Sequence, residues 1–105
     1  MGDEERERIA SLYRLRQTLL DAEAAMGVAT WPTAEKVVFA VVSYADSHQT
    51  PASVHDVECH ELMSGYSRAT LFRALEALKA KGVIESRVDA KDARVHRLFV
   101  AKRAD

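Results

Sequence analysis

The sequence predicts a mainly α-helical protein that closes with a small β-hairpin. Apolar residues recur at helical spacing in four segments between residues 3 and 81, and two short segments rich in β-branched residues follow at 83–88 and 95–100. With 105 residues and 48% hydrophobic content, the chain is long enough to bury a core of its own. We predict a single domain over residues 1–105, built from a long N-terminal helix at 3–26 and a compact fold at 33–100.

Several classes of protein are excluded at this point. No apolar run approaches the roughly 20 residues of a membrane helix, and the charged start of the chain lacks a signal-peptide core. Cys59 is the only cysteine, so a disulfide scaffold is excluded. The sequence has no glycine-rich phosphate loop, nucleophile elbow or paired-carboxylate motif. We therefore expect a cytoplasmic protein that is not an enzyme, needs no cofactor and does not associate with a membrane.

Charge is distributed unevenly along the chain. Residues 1–60 carry five basic and ten acidic side chains, whereas residues 61–105 carry ten basic and six acidic ones. A basic half of this kind is typical of proteins with an anionic partner, although two solvated faces of opposite sign would give the same count.

The first predicted helix, over residues 3–26, has an apolar stripe on one side. Spacings of three and four residues define this heptad pattern, which Ile9 extends by one turn. Its members are Ile9, Leu12, Leu15, Leu19, Ala22 and Met26. A helix of this length spans roughly 36 Å, more than a small core requires. The helix should therefore either pack across the rest of the domain or pair with another copy of the chain. We predict a homodimer through this stripe, and Gly27 is expected to end the helix.

The second and third helices are predicted from cap residues and buried edges. Thr33, or alternatively Thr30, is a suitable N-cap for a valine-rich core helix at about 33–47. Ser53, with Asp56 three residues later, forms a capping-box pattern that starts the third helix. The inner edge of that helix is predicted to consist of Val54, Val57 and Leu62.

The fourth helix is predicted to begin after Ser67 and to end before Gly82. Leucines at i, i+4 and i+7 give it a clean inner stripe, formed by Leu71, Leu75 and Leu78. The short third helix, a turn containing Gly65 and this fourth helix together have the form of a helix-turn-helix. The hairpin that follows, with its polar loop at residues 89–94, makes the arrangement a winged helix-turn-helix.

The chain resembles bacterial winged-helix regulators of the MarR family over about residues 33–100. The similarity lies in Tyr66-Ser67-Arg68-Ala69-Thr70-Leu71-Phe72-Arg73-Ala74-Leu75, in Lys81-Gly82-Val83-Ile84, and in Asp92-x-Arg94 of the loop. It implies a transcriptional regulator that binds double-stranded DNA, and we accordingly expect a nucleoid-associated protein. Helix 67–81 would enter the major groove, and wing 83–100 would reach an adjacent groove or the backbone. The family dimerises through its N-terminal helix and further helices after the wing, and this sequence matches only the first part.

Helix geometry and side-chain chemistry indicate which residues could contact DNA. With the leucines placed inward, a rotation of 100° per residue directs Ala69, Thr70 and Arg73 outward. Arginine can bond guanine bidentately, and a helix start favours phosphate. The candidates are Ser67, Arg68, Ala69, Thr70 and Arg73 on the helix, and Arg87, Lys91, Arg94 and Arg97 on the hairpin. Glu76 also points outward, where it could accept from cytosine or repel a phosphate.

Two alternatives stay open at this stage. Winged helices also serve as protein-interaction modules, which the acidic first half would suit. His55 and Cys59 lie four residues apart, a spacing that could hold a metal with His60 or His48 nearby, or that could make Cys59 a thiol sensor.

Overall fold

The computed structural model describes residues 1–101, which form two compact units, Met1–Trp31 and the chain from Pro32 onward. The first unit contains one helix, α1 (Asp3–Met26), with the predicted bounds. Gly27 ends it in the left-handed conformation, with φ +74°, and donates its N–H to the carbonyl of Ala24. No side chain of α1 is buried.

The second unit has the predicted order of helices followed by an antiparallel hairpin. Its elements are α2 (Thr33–Ser47), α3 (Val54–Glu58), a 3₁₀ turn (Glu61–Met63), α4 (Arg68–Ala80), β1 (Ile84–Val88) and β2 (His96–Val100). The hairpin register pairs Ile84 with Val100 and Val88 with His96. None of the helices within residues 1–101 combines the length and apolar character needed to cross a membrane.

The core of the second unit lies between α2, α4 and the hairpin. The predicted leucine stripe of α4 is fully inside, and Leu98 of β2 packs into the same interior. The most deeply buried side chains are Leu71, Leu75, Leu78, Leu98, Val38, Val42 and Val57. Because the leucines occupy one side of α4, the opposite side of that helix is left facing solvent.

The starts and ends of two helices differ from the sequence prediction. Thr33 is the first residue of α2 and not its N-cap; Pro32 occupies the cap position and provides no side-chain acceptor. The third helix ends at Glu58, so the assignment of Leu62 to its inner edge is wrong. Leu62 is 55% exposed, and Met63, at 3%, takes the buried position. The cause is the 3₁₀ turn, which breaks the helical spacing between residues 57 and 62.

A short extended segment before α3 joins the hairpin, a feature that the sequence did not indicate. Leu98 donates its N–H to the carbonyl of Ala52 at 2.9 Å, and Ser53 forms an isolated antiparallel bridge with Arg97. Ser53 is also the N-cap of α3, where its side chain and that of Asp56 complete the predicted capping box. The start of α3 is therefore attached directly to β2.

Gly82 connects α4 to the hairpin in the left-handed region, at φ +73°. Replacing it with alanine should lower the free energy of unfolding by about 1–2 kcal/mol, because an L side chain is strained in this conformation. Gly65→Ala is the matched control, since its backbone φ is not positive and an added Cβ there would meet open space. Urea unfolding of both variants checks this, and equal stability of Gly82→Ala and wild type would contradict it.

Candidate nucleic-acid interface

The N-terminus of α4 is held by a side-chain cap. The Ser67 hydroxyl accepts the backbone N–H of Thr70 at 3.1 Å and lies 2.9 Å from the Thr70 hydroxyl. This confirms the predicted cap and commits both hydroxyls to a local interaction. The remaining N–H groups of the first turn have no acceptor within a helix, so the exposed helix start favours an anion.

The solvent-facing side of α4 carries mostly small side chains around one arginine. Ala69, Arg73, Glu76 and Ala80 are exposed, as the rotation from the buried leucines predicts. The Nε of Arg73 donates to the carbonyl of Ala69 at 3.4 Å, and no acidic side chain within residues 1–101 pairs with its guanidinium. We call this surface, formed by residues 69, 70, 73, 76, 77 and 80, the outer face of α4.

Arg68 lies beside this face at the helix start. Its Nε is 3.8 Å from a carboxylate oxygen of Glu58, and its guanidinium carbon is 5.4 Å from the ring centre of Phe72. The side chain is 72% exposed. An exposed ion pair of this kind is weak, so Arg68 remains available to a stronger anionic partner.

The tip of the hairpin presents two cationic side chains. The Nε and one terminal nitrogen of Arg94 lie 3.2 and 3.3 Å from the two carboxylate oxygens of Asp92. Arg94 is nevertheless 91% exposed. The neighbouring Lys91 is also exposed, with no acidic side chain against its ammonium group in the part of the chain described.

Asp89 organises the loop between the strands. One carboxylate oxygen accepts the backbone N–H groups of Lys91 and Asp92, each at 3.0 Å. These bonds, with the side-chain bond from Arg97, hold the pKa of Asp89 below its ordinary value. The pKa of Asp92 is lowered as well, chiefly by the Arg94 side chain and backbone N–H.

Arg97 is turned toward the protein. Its Nε lies 3.3 Å from Asp89, and one terminal nitrogen reaches the carbonyl of Pro51 at 3.3 Å and Asp56 at 3.4 Å. Three segments of the chain thus converge on a half-buried guanidinium, which we call the Arg97 clamp. Two of the three guanidinium nitrogens of Arg97 therefore bond acceptors within the chain.

Arg87, the remaining hairpin candidate, projects from β1. It pairs with Glu85, and its guanidinium carbon lies 4.2 Å from the ring centre of Phe99. The side chain is more than half exposed. Stacking on the aromatic ring fixes the direction of this cation while leaving it accessible.

The histidines near Cys59 do not assemble into a metal centre. Cys59 Sγ lies 3.5 Å from Nε2 of His55, so this pair is close, as the spacing predicted. His60 is engaged elsewhere, because its Nδ1 accepts the backbone N–H of Leu62. His48 bonds the carbonyl of Tyr44. Within residues 1–101 no three His, Cys, Asp or Glu side chains are grouped to hold a metal ion.

Comparison with solved structures identifies the fold. S. pneumoniae FabT in complex with DNA superposes with a TM-score of 0.67 at 22% identity, over 95% of this chain and 67% of FabT. A mutant of S. aureus MepR gives 0.65 at 18% identity, over 96% and 67%. MarR gives 0.57 at 15% identity, over 92% and 64%. The chain has a MarR-type winged-helix fold. The sequence matches no protein-family model, and no curated protein matches it.

In this fold, α3 and α4 form the helix-turn-helix, and the hairpin of β1 and β2 is the wing. The resemblance noted in the sequence predicted these assignments. What it missed is the role of Asp56 and Asp89 as acceptors of Arg97. Asp89 stands at a turn, where aspartate commonly bonds the backbone two residues ahead, and this was the available signal. Asp56 was recognised only as part of the capping box.

The lowered pKa values of the three aspartates predict how stability depends on pH. The backbone N–H of Ser53 is the main cause for Asp56, whose pKa is lowered like those of Asp89 and Asp92. A carboxylate with a folded pKa below its unfolded value of about 3.9 stabilises the fold above that value and loses this contribution as the pH falls through the folded pKa. We therefore expect the free energy of unfolding to decline below about pH 4.

Asp89→Asn tests the assignment. The variant should be less stable than wild type at pH 7 and should lose less stability between pH 7 and pH 3, measured by urea unfolding at both values. Asp21→Asn in α1 is the control. A wild-type stability that stays level down to pH 3 would contradict the prediction.

Proposed function

We propose that this protein is a sequence-specific regulator of transcription that binds double-stranded DNA. The observation that carries the proposal is the outer face of α4, where an accessible arginine lies among small side chains on the recognition helix of a winged-helix fold. Small residues let a helix approach the base edges closely, and the major groove is wide enough to admit an α-helix.

Arg73 is the proposed base-reading residue. A guanidinium can donate two parallel bonds to O6 and N7 of guanine, the commonest specific contact in protein–DNA complexes. Thr70 and Ala69 lie one turn earlier and fit a thymine methyl group or the sugar-phosphate edge. Ser67 takes part through the helix start that it caps, because its hydroxyl is already bonded within the helix.

The wing supplies the second contact. Arg94 and Lys91 project from its tip, and we propose that they contact the backbone or an adjacent minor groove, where arginine responds to electrostatic potential. Arg68 and Arg87 are proposed phosphate contacts at the edges of the site. Arg97 is not included, since the clamp uses its guanidinium to attach the wing to the start of α3.

The solved structures with a similar fold support the proposed DNA-binding function. FabT and MepR each have a structure in complex with DNA, and SlyA and BldR are named as transcriptional regulators. These proteins are only 17 to 22% identical to this chain, so the proposed DNA contacts rest on the residues of the outer face and the wing. A protein with this function acts where bacterial DNA is, and we accordingly propose a cytoplasmic, nucleoid-associated location.

We further propose that the protein acts as a homodimer through α1. The helix exposes a run of large apolar side chains, among them Ile9, Leu12, Leu15, Leu19 and Met26, and buries none. Pairing this stripe with that of a second copy removes the apolar surface from water. Two recognition helices would then read half-sites about one helical turn apart.

DNA binding is tested by measuring affinity for selected duplexes at about 50 and 200 mM salt. We expect the affinity to fall steeply with salt, because cationic contacts release counterions.

Two variants separate the contacts. Arg73→Ala should lower the binding free energy by about 1–3 kcal/mol and relax the base preference, whereas Arg94→Ala should weaken binding to all sequences and reduce the salt dependence. Arg16→Ala, which removes an arginine from α1, is the matched control. Absence of retention at 50 mM salt would refute the proposal and favour a protein partner instead.

The dimer is tested by sedimentation at tens of micromolar. Leu15→Asp should shift the chain to a monomer, since it places a charge in the centre of the apolar stripe. Ala24→Asp, on the opposite side of α1, should leave the dimer intact. A wild-type protein that sediments as a monomer would overturn the assignment.

A further inference from the structure

The outer face of α4 carries one acidic side chain, Glu76. It lies one turn beyond Arg73, and its side chain is 74% exposed. A carboxylate on a surface that approaches DNA is repelled by phosphates, so it weakens non-specific binding. A hydrogen bond from one particular base would offset that repulsion only in sequences that carry the base.

The chemistry of the groove restricts that interaction. An ionised carboxylate only accepts hydrogen bonds. In the major groove the donors are the N4 amino group of cytosine and the N6 amino group of adenine, while guanine and thymine present only acceptors to it. Glutamate pairs with cytosine N4, since adenine places the N7 acceptor beside its amino group.

The surroundings of Glu76 leave its carboxylate able to reach a base. Its partner within the helix is Lys79, whose Nζ lies 3.5 Å away in an exposed i, i+3 pair. Such pairs contribute little and do not fix a side chain. Ala77 and Ala80 flank the carboxylate on the same face and place no bulk between it and an approaching surface.

We propose that Glu76 is a specificity-determining residue that accepts a hydrogen bond from cytosine N4 in the DNA half-site. Arg73 and Glu76, three residues apart, together select a guanine and a nearby cytosine. The inference rests on the proposed DNA-binding function. It assigns Glu76 a dual effect: the residue favours one base and lowers affinity for all other sequences.

Selection from random duplexes tests the proposal with wild type, Glu76→Gln, Glu76→Ala and Lys79→Ala. The wild type should enrich a motif with a cytosine that Glu76→Ala no longer prefers, a loss of about fivefold or more at that position. Glu76→Gln should shift the preference there toward adenine, which glutamine bonds bidentately. Affinity for unselected duplex should rise in Glu76→Ala, because the repulsion of phosphates is removed.

Three outcomes would overturn the inference, and they are distinguishable. If the wild type enriches a motif that both Glu76 variants retain unchanged, the DNA-binding function stands and the role of Glu76 is refuted. If Lys79→Ala changes the same position to the same degree as Glu76→Ala, the intrahelical pair, and not a base contact, is responsible. If the wild type retains no DNA, the proposed function fails and this inference fails with it.

Discussion

The burial of one leucine stripe determines the geometry of this protein. Leu71, Leu75 and Leu78 pack inside against α2 and the hairpin, and each fully buried leucine contributes about 1.5–3 kcal/mol. That packing fixes the rotation of α4 about its own axis. The rotation of α4 in turn determines which residues face solvent and so form the outer face. A slip of one residue in this stripe would turn Arg73 by about 100° and remove it from the surface that it now shares with Glu76.

The wing depends on a different kind of constraint. Its two strands bury few side chains, and the loop between them is polar, so apolar packing alone does not hold its tip. Asp89 closes the loop by accepting two backbone N–H groups, and the Arg97 clamp ties that loop to Pro51 and Asp56. The basic side chains of the hairpin therefore have two different roles. Arg97 is held internally by acceptors from three segments, whereas Arg94 and Lys91 extend into solvent.

A structural element could be predicted from the sequence where the residues that determine it are close together in the chain. Helix α1, helix α4 and the hairpin follow from periodicity, caps and the glycines that end the helices, all of which lie within a few residues of the feature they control. The sequence pattern extends the third helix to Leu62, beyond its actual end, because only the tertiary fold reveals the 3₁₀ turn that exposes Leu62 and buries Met63. The internal contacts of Arg97 could not be predicted for a similar reason. Its acceptors at Pro51 and Asp56 lie more than 40 positions away in sequence, and no local pattern indicates them.

Helix α1 has 24 residues and buries none of its side chains. A solitary helix of ordinary composition is marginal in water, because nucleation is costly and propagation adds little per residue. In the homodimer proposed above, helix formation and association become one equilibrium, and that equilibrium depends on protein concentration. Cellular abundance would then act as a control on the regulator itself: at low copy number the N-terminal segment loses order, and paired recognition of a two-part operator is lost with it.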